Sequence, residues 1–204
     1  MTSGAGMHRR IAALAWTLAS GLAAAQPVTY AIDPTHTFVL VEADHRATST
    51  VRGRFDRSAG TVVLDRGART GRVELRVEAA SLGTGVKSLD ARLKGPAFLD
   101  AARWPQLAFV AERLAFDGDR VVAVEGALTL RGATAPLALQ AVRFGCYTNP
   151  LLRREVCGGD FEAEAAPAAW GLAPAPGTRW PDRVRVRVQV EAIRQAADER
   201  GGSP

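Results

Sequence analysis

The sequence predicts an all-β fold, either a sandwich or a barrel. Three observations carry this. Apolar and polar residues alternate with a period of two in stretch after stretch, short turn signals punctuate those stretches, and long helical periodicity is missing between them.

Ahead of the strands, MHRRIAALAWTLASGLAAAQP sets His8, Arg9 and Arg10 before an apolar run from Ile11 to Leu22, followed by Ala23-Ala24-Ala25. This is the order of a secretory signal cleaved after Ala25, so residues 1–25 are expected to be a signal peptide. The run is shorter than the roughly 18 to 20 apolar residues that a membrane-spanning helix needs. Removing 25 of 204 residues leaves 179, a length suited to one domain with a sizeable core. It also removes Arg9 and Arg10, which lowers the formal net charge from +5 to +3 and weakens any case for nucleic acid as a partner.

The strand domain is expected over residues 28–195. Thr29 to Ile32, Thr37 to His45 and Val51 to Phe55 come first, with Asp33-Pro34 turning the chain between the first two. Thr61 to Leu64 runs into the turn Asp65-Arg66-Gly67. In GRVELRVEA, Val73, Leu75 and Val77 alternate with Glu74, Arg76 and Glu78, giving one apolar and one charged face. Val86 to Trp104 breaks the pattern: Ser88 is placed to cap a short helix with Leu89 and Leu93 on one face, and Pro96 limits its length. Leu107 to Phe116, Arg120 to Leu130, Pro136 to Phe144 and Asp160 to Ala166 follow, separated by Asp117-Gly118-Asp119 and Arg131-Gly132. In RVRVRVQVEAI the valines Val184 to Val190 face one way and Arg183, Arg185, Arg187 and Gln189 the other. With no aromatic residues interleaved for base stacking, that arginine row reads as a solvated outer face. Residues 196–204 are polar and glycine-rich, the composition of a flexible tail.

Both cysteines lie in CYTNPLLRREVC, residues 146 to 157. A zinc site wants about four ligands, whereas the exported chain has two cysteines and two histidines. The spacing is not Cys-x-x-Cys. In an oxidising compartment two cysteines so spaced pair, so Cys146 and Cys157 are expected to form a disulfide that closes a loop at one rim.

Few residues suggest catalysis. His36 and His45 are nine apart, an odd separation that puts them on opposite faces of any single strand, and no metal site is expected. HExxH, G-x-S-x-G and Walker-type patterns do not occur. A barrel of about eight strands is wide enough to be filled by side chains or to hold one ligand, and composition leaves that choice open.

Three motifs sharpen the expectation. YAIDPTHTFVLVEADHRATSTVRGRF carries Asp33, His36, Val39, Val41, Ala43, His45, Val51, Gly53 and Phe55; SLDARLKGPAFLDAARWPQLAF carries Asp90, Leu93, Phe98, Asp100, Pro105 and Phe109. GALTLRGATAPLAL carries Gly126, Leu128, Thr129, Gly132, Thr134, Pro136 and Leu139. In this order they resemble the YceI-like family of bacterial exported proteins. The resemblance implies an antiparallel lipocalin-like β-barrel of about eight strands with one short helical segment, in the periplasm, whose interior binds an isoprenoid-like lipid such as a polyprenyl or quinone tail. It implies no catalysis and no cofactor other than a bound isoprenoid quinone or polyprenyl lipid. Inward parity then nominates Val39, Val41, Ala43, Val73, Leu75, Val77, Leu107, Phe109, Leu128 and Leu130 as apolar lining, with Phe98 and Trp170 near a mouth. His45 would share the inner face, as a buried histidine satisfied by a backbone carbonyl or as a head-group contact. His36 is expected to organise the turn after Asp33. The disulfide loop would then sit beside the mouth, with Leu151 and Leu152 as an apolar flap and Arg153-Arg154 in reach of an anionic membrane surface. Two other readings stay open: an enzyme acting on an apolar lipid or amide through His45, and a ligand-free stress or interaction protein. A homodimer and a transient membrane contact are likewise open. In this chain PAAWG, Pro167 to Gly171, replaces the family's R-S-D-F-G, Arg131 stands where a histidine is usual, and Ala135 replaces a basic residue.

Overall fold

In a computed structural model the described residues are 26–172 and 181–196. The signal expected at 1–25 lies outside them, and so does the tail expected at 196–204 apart from Ala196. Eleven strands are described: β1 Val28–Ile32, β2 Phe38–His45, β3 Ser49–Phe55, β4 Ser58–Asp65, β5 Thr70–Glu78, β6 Leu82–Gly83, β7 Gln106–Asp117, β8 Arg120–Leu130, β9 Ala133–Asn149, β10 Arg154–Ala165 and β11 Val184–Arg194. One helix, α1 Lys87–Lys94, joins β6 to β7.

These segments make eight staves. β11 pairs with β2 along its first half and with β1 along its second, so β1 and β2 are one stave interrupted at Asp33 to Thr37. β3 and β4 form the next, since β3 pairs with β2 and β4 with β1. β5 and β6 form a third, broken by a 3₁₀ turn at Ala79–Ser81. From β7 to β11 each strand pairs with the next, and β11 closes the ring on β1. The fold is a closed antiparallel β-barrel, and among the described residues the closure leaves only the two-residue β6 paired on one side.

The stave break is stitched by polar groups that replace lost ladder bonds. Asp33 N donates to Glu191 O at 2.9 Å, and Glu191 N donates to the fully buried Thr37 hydroxyl at 3.2 Å. Asp33 itself accepts from Thr35 N and Oγ1 at 2.8 and 2.7 Å and meets His36 Nδ1 at 2.8 Å, so His36 organises this turn as its position suggested.

The outer arginine row is matched by acids from the neighbouring strands. Arg187 meets Glu162 at 3.1 Å, Arg183 meets Glu164 at 3.3 Å, and Arg185 lies 3.9 Å from Glu42. Opposite charges across a ladder keep this face soluble and give it no net basic character.

Three expectations need correction. Ser88 does not cap α1; it lies within the helix, and the turn before it is held by Asp90 Oδ1, which accepts from Thr84 N and Oγ1 at 2.7 and 2.6 Å. The connection from Phe144 to Asp160 is not a long loop. β9 and β10 continue through it as a hairpin, leaving four residues, Pro150 to Arg153, as the turn. Cys146 and Cys157 are therefore direct partners in a ladder and form the disulfide there. Third, that hairpin lies at the end of the barrel where β1 and β5 begin and β4, β7 and β11 end, remote from α1. Leu151, 91% exposed, and Leu152 cannot flap over a mouth at the other end, and Arg153-Arg154 lie there with them.

Candidate functional site

At the α1 end the barrel opens into a cavity of about 1170 Å³. Strand parity builds its wall. In adjacent staves Val39, Val41 and Ala43 of β2 stand opposite Val188, Val186 and Val184 of β11 and opposite Phe55, Gly53 and Val51 of β3. Leu75 and Val77 of β5 pair with Phe109 and Leu107 of β7, and Phe109 pairs in turn with Leu128 of β8. Alternate residues of each strand point the same way, so the inner set is apolar throughout.

Polar groups collect at the rim. Asp44, His45 and Arg46 of the β2–β3 hairpin, Arg92 of α1, and Asp182 and Arg183 ahead of β11 line the cavity edge and are exposed. His45 is thus neither enclosed among apolar groups nor satisfied by burial: the last residue of β2 has passed the top of the barrel. Its carbonyl accepts from Thr48 N and Oγ1 at 3.1 and 2.8 Å, which tightens the hairpin.

Leu89 and Leu93 of α1 and Phe98 and Leu99 after it lie over one side of the opening. On the other, a 3₁₀ turn over Pro167–Trp170 ends at Gly171 with φ of 68°, a left-handed conformation that glycine adopts without steric cost. Trp170, 4% exposed, donates its indole N–H to Leu128 O at 2.7 Å, fixing this turn to the wall. Of PAAWG, Pro167 and Trp170 line the cavity, and Gly171 ends the turn that holds them there. Arg131 donates to Pro96 O at 3.3 Å and ties the β8–β9 turn to the segment after α1. Ala135 is buried, at the same parity along β9 as Leu137 and Leu139.

Of the residues nominated from parity, Val39, Val41, Ala43, Leu75, Val77, Leu107, Phe109, Leu128 and Leu130 line this cavity, and Phe98 and Trp170 stand at its mouth. Val73 does not. It lines a second void of about 70 Å³ deeper in the barrel, below Leu75 and Phe109. Parity missed Leu137, Leu139, Val186 and Val188, which also line the main cavity. Their alternation was legible in APLALQ and RVRVRVQ, but the staves carrying them were not linked to the pocket by sequence alone.

The far end is shut. Tyr30, 1% exposed, closes it from β1, and its hydroxyl donates to Glu155 at 2.7 Å. Arg66 donates to the other oxygen of Glu155 at 2.7 Å, and Arg194 lies 3.8 Å from it. Cys146, Glu155 and Cys157 come close enough to one another to ligate an ion, but both sulfurs are committed to the disulfide.

Fold and cavity together define the class: a lipocalin-like closed barrel with an apolar interior open at one end. The chain belongs to the YceI-like family, whose domain matches residues 30–192. It is 30% identical over 143 residues to protein YceI of Salmonella newport, covering 69% of this chain and 72% of that one. To a UPF0312 protein of Pseudomonas savastanoi it is 29% identical over 148 residues, covering 71% and 77%. BcnA of Burkholderia cenocepacia shares the fold with a TM-score of 0.63 at 19% identity, over 79% of this chain and 99% of that one. A polyisoprenoid binding domain from Saccharophagus degradans, implicated in plant cell wall breakdown, shares it with a TM-score of 0.59 at 16% identity, over 82% and 99%.

Proposed function

We propose that this protein binds a long isoprenoid-like lipid, a polyprenyl or quinone tail, inside the barrel, and carries or sequesters it in the periplasm without a catalytic step. The observation that carries the reading is the cavity: about 1170 Å³, apolar in its depth and polar only at its rim. That exceeds the roughly 300 to 1,000 Å³ of pockets for drug-sized ligands. A chain lying in it leaves water methylene by methylene, at about 0.8 kcal/mol each, so affinity needs no charged contact in the interior. A polar head would remain at the rim among Asp44, Arg46, Arg92 and Arg183, where it keeps its hydration. The polyisoprenoid binding domain from Saccharophagus degradans, which has the same fold, supports the ligand class, and the export signal read in the sequence supports the compartment.

The test is mass spectrometry of an organic extract of the protein purified from its native host under mild conditions. An isoprenoid in near-stoichiometric amount is the expected result. Repeated recovery of the folded protein with no isoprenoid, together with failure to take up added polyprenol or quinone, would overturn the proposal.

A further inference from the structure

The main cavity does not end at the bottom of the barrel. Leu75, Phe109, Leu139 and Val188, from β5, β7, β9 and β11, line both the main cavity and the 70 Å³ void beneath it. Lining both spaces, they form the layer between them. The tip of the Phe109 ring lies beside Gly126 of β8, the residue paired with Ala111. A Cβ at Gly126 would stand 2.8 Å from the tip of the Phe109 ring, so the absence of a side chain there is what lets the ring lie where it does.

Below the layer the void is lined by hydrocarbon from Ile32, Val62, Leu64, Val121, Phe144 and Phe161. The one polar side-chain group near it, the Tyr30 hydroxyl, is already committed to Glu155. Such a space offers water no partners but suits the end of a hydrocarbon chain. The Tyr30–Glu155–Arg66 cluster then stops any further advance.

We propose that Phe109, with Leu139 in the same layer, sets the maximum chain length the barrel accepts, and that the void below is a reserve into which a longer chain extends when that layer is thinned. The inference rests on the isoprenoid reading for the identity of the chain, but the layer acts on any linear hydrocarbon. A chain that must stop at the layer gains nothing from further carbons, whereas each additional methylene that stays buried strengthens binding by about fourfold.

The experiment measures affinity against chain length, with polyprenols as one series and straight-chain alkanols as the other. It uses the full mature protein and the variants Phe109→Ala, Phe109→Leu and Leu139→Ala. Leu172→Ala, at the mouth, is the control. In the unsubstituted protein, affinity should rise with length and then level or fall at a cut-off. That cut-off should move to longer chains in the three layer variants and stay put in Leu172→Ala, with roughly tenfold tighter binding of chains just beyond the original limit. Phe109→Leu keeps most of the packing, so it remains informative if the alanine variant does not fold. An unmoved cut-off in folded layer variants would overturn the inference. Alkanols that bind with a movable cut-off while polyprenols do not bind would support the layer and overturn the isoprenoid reading. If neither series binds, both fall.

Discussion

Tyr30 and Glu155, 125 residues apart in sequence, join across the closed end of the barrel, the phenol donating to the carboxylate at 2.7 Å. Burial, this hydrogen bond and the charge of Glu155 push the phenol up to about 12. The fold therefore holds that proton more tightly than the unfolded chain does. The stability involved is fully present below the ordinary tyrosine value of 10.0 and is lost as pH rises through about 12. An ultraviolet titration of the two tyrosines should lose its component near 12 in Tyr30→Phe. At neutral pH the same variant should cost about 1.5 to 3 kcal/mol in urea unfolding, the usual worth of a hydrogen bond to a charged group.

The disulfide lies at the same closed end, in a ladder that hydrogen bonds already hold. Cys146→Ser with Cys157→Ser should lower stability by about 2 to 3 kcal/mol, mostly through a freer unfolded chain. Lipid affinity measured by fluorescence competition should not change. Loss of affinity in a folded double variant would show that the closed end governs the cavity.

At the stave break, the hydrogen bond and the charge of Asp33 raise the His36 imidazole above its ordinary 6.5. Burial pushes Asp33 upward, but the hydrogen bonds from Thr35 and His36 outweigh it and leave the carboxyl below its ordinary 3.8. The His36 contribution is complete below 6.5 and fades as pH rises through its folded value; the Asp33 contribution is complete above 3.8 and fades as pH falls through its own. The turn is tied most firmly between those two limits. An NMR titration should find His36 above 6.5 in the unsubstituted protein and back near it in Asp33→Asn.

Trp170→Phe keeps an aromatic ring at the mouth and removes the N–H that meets Leu128 O. It should destabilise the protein by about 1 to 3 kcal/mol, because a half-buried carbonyl loses its indole donor, and it should speed release of a bound lipid in stopped-flow experiments. Unchanged stability and release would show that the indole N–H does not fix the mouth.

His45 stands outside the apolar wall, so His45→Ala should leave lipid affinity nearly unchanged. A large loss in an isothermal titration would instead place the imidazole on the head group.

Strand alternation was legible wherever one face is packed and the other is wet. Val39, Val41 and Ala43, or Val184, Val186 and Val188, announce their inner face because burial on one side alone imposes a period of two. The β9–β10 extension was not legible. From Val142 to Asn149 most residues are exposed or half-buried, so neither face enforces a pattern, and the stretch around Cys146 read as loop. His45 was assigned correctly by parity and wrongly by depth, since alternation fixes the direction of a side chain but not how far along the barrel axis its strand ends.

By itself, then, the sequence determined the strands, the direction most of their side chains take and the family, because those follow from nearest-neighbour alternation and local turn chemistry. Only the tertiary structure decided which end of the barrel opens, that the disulfide lies at the other end, and that Leu75, Phe109, Leu139 and Val188 stand between two interior spaces. Those depend on how eight staves are staggered around a closed ring, and stagger is set by contacts between residues far apart in the chain.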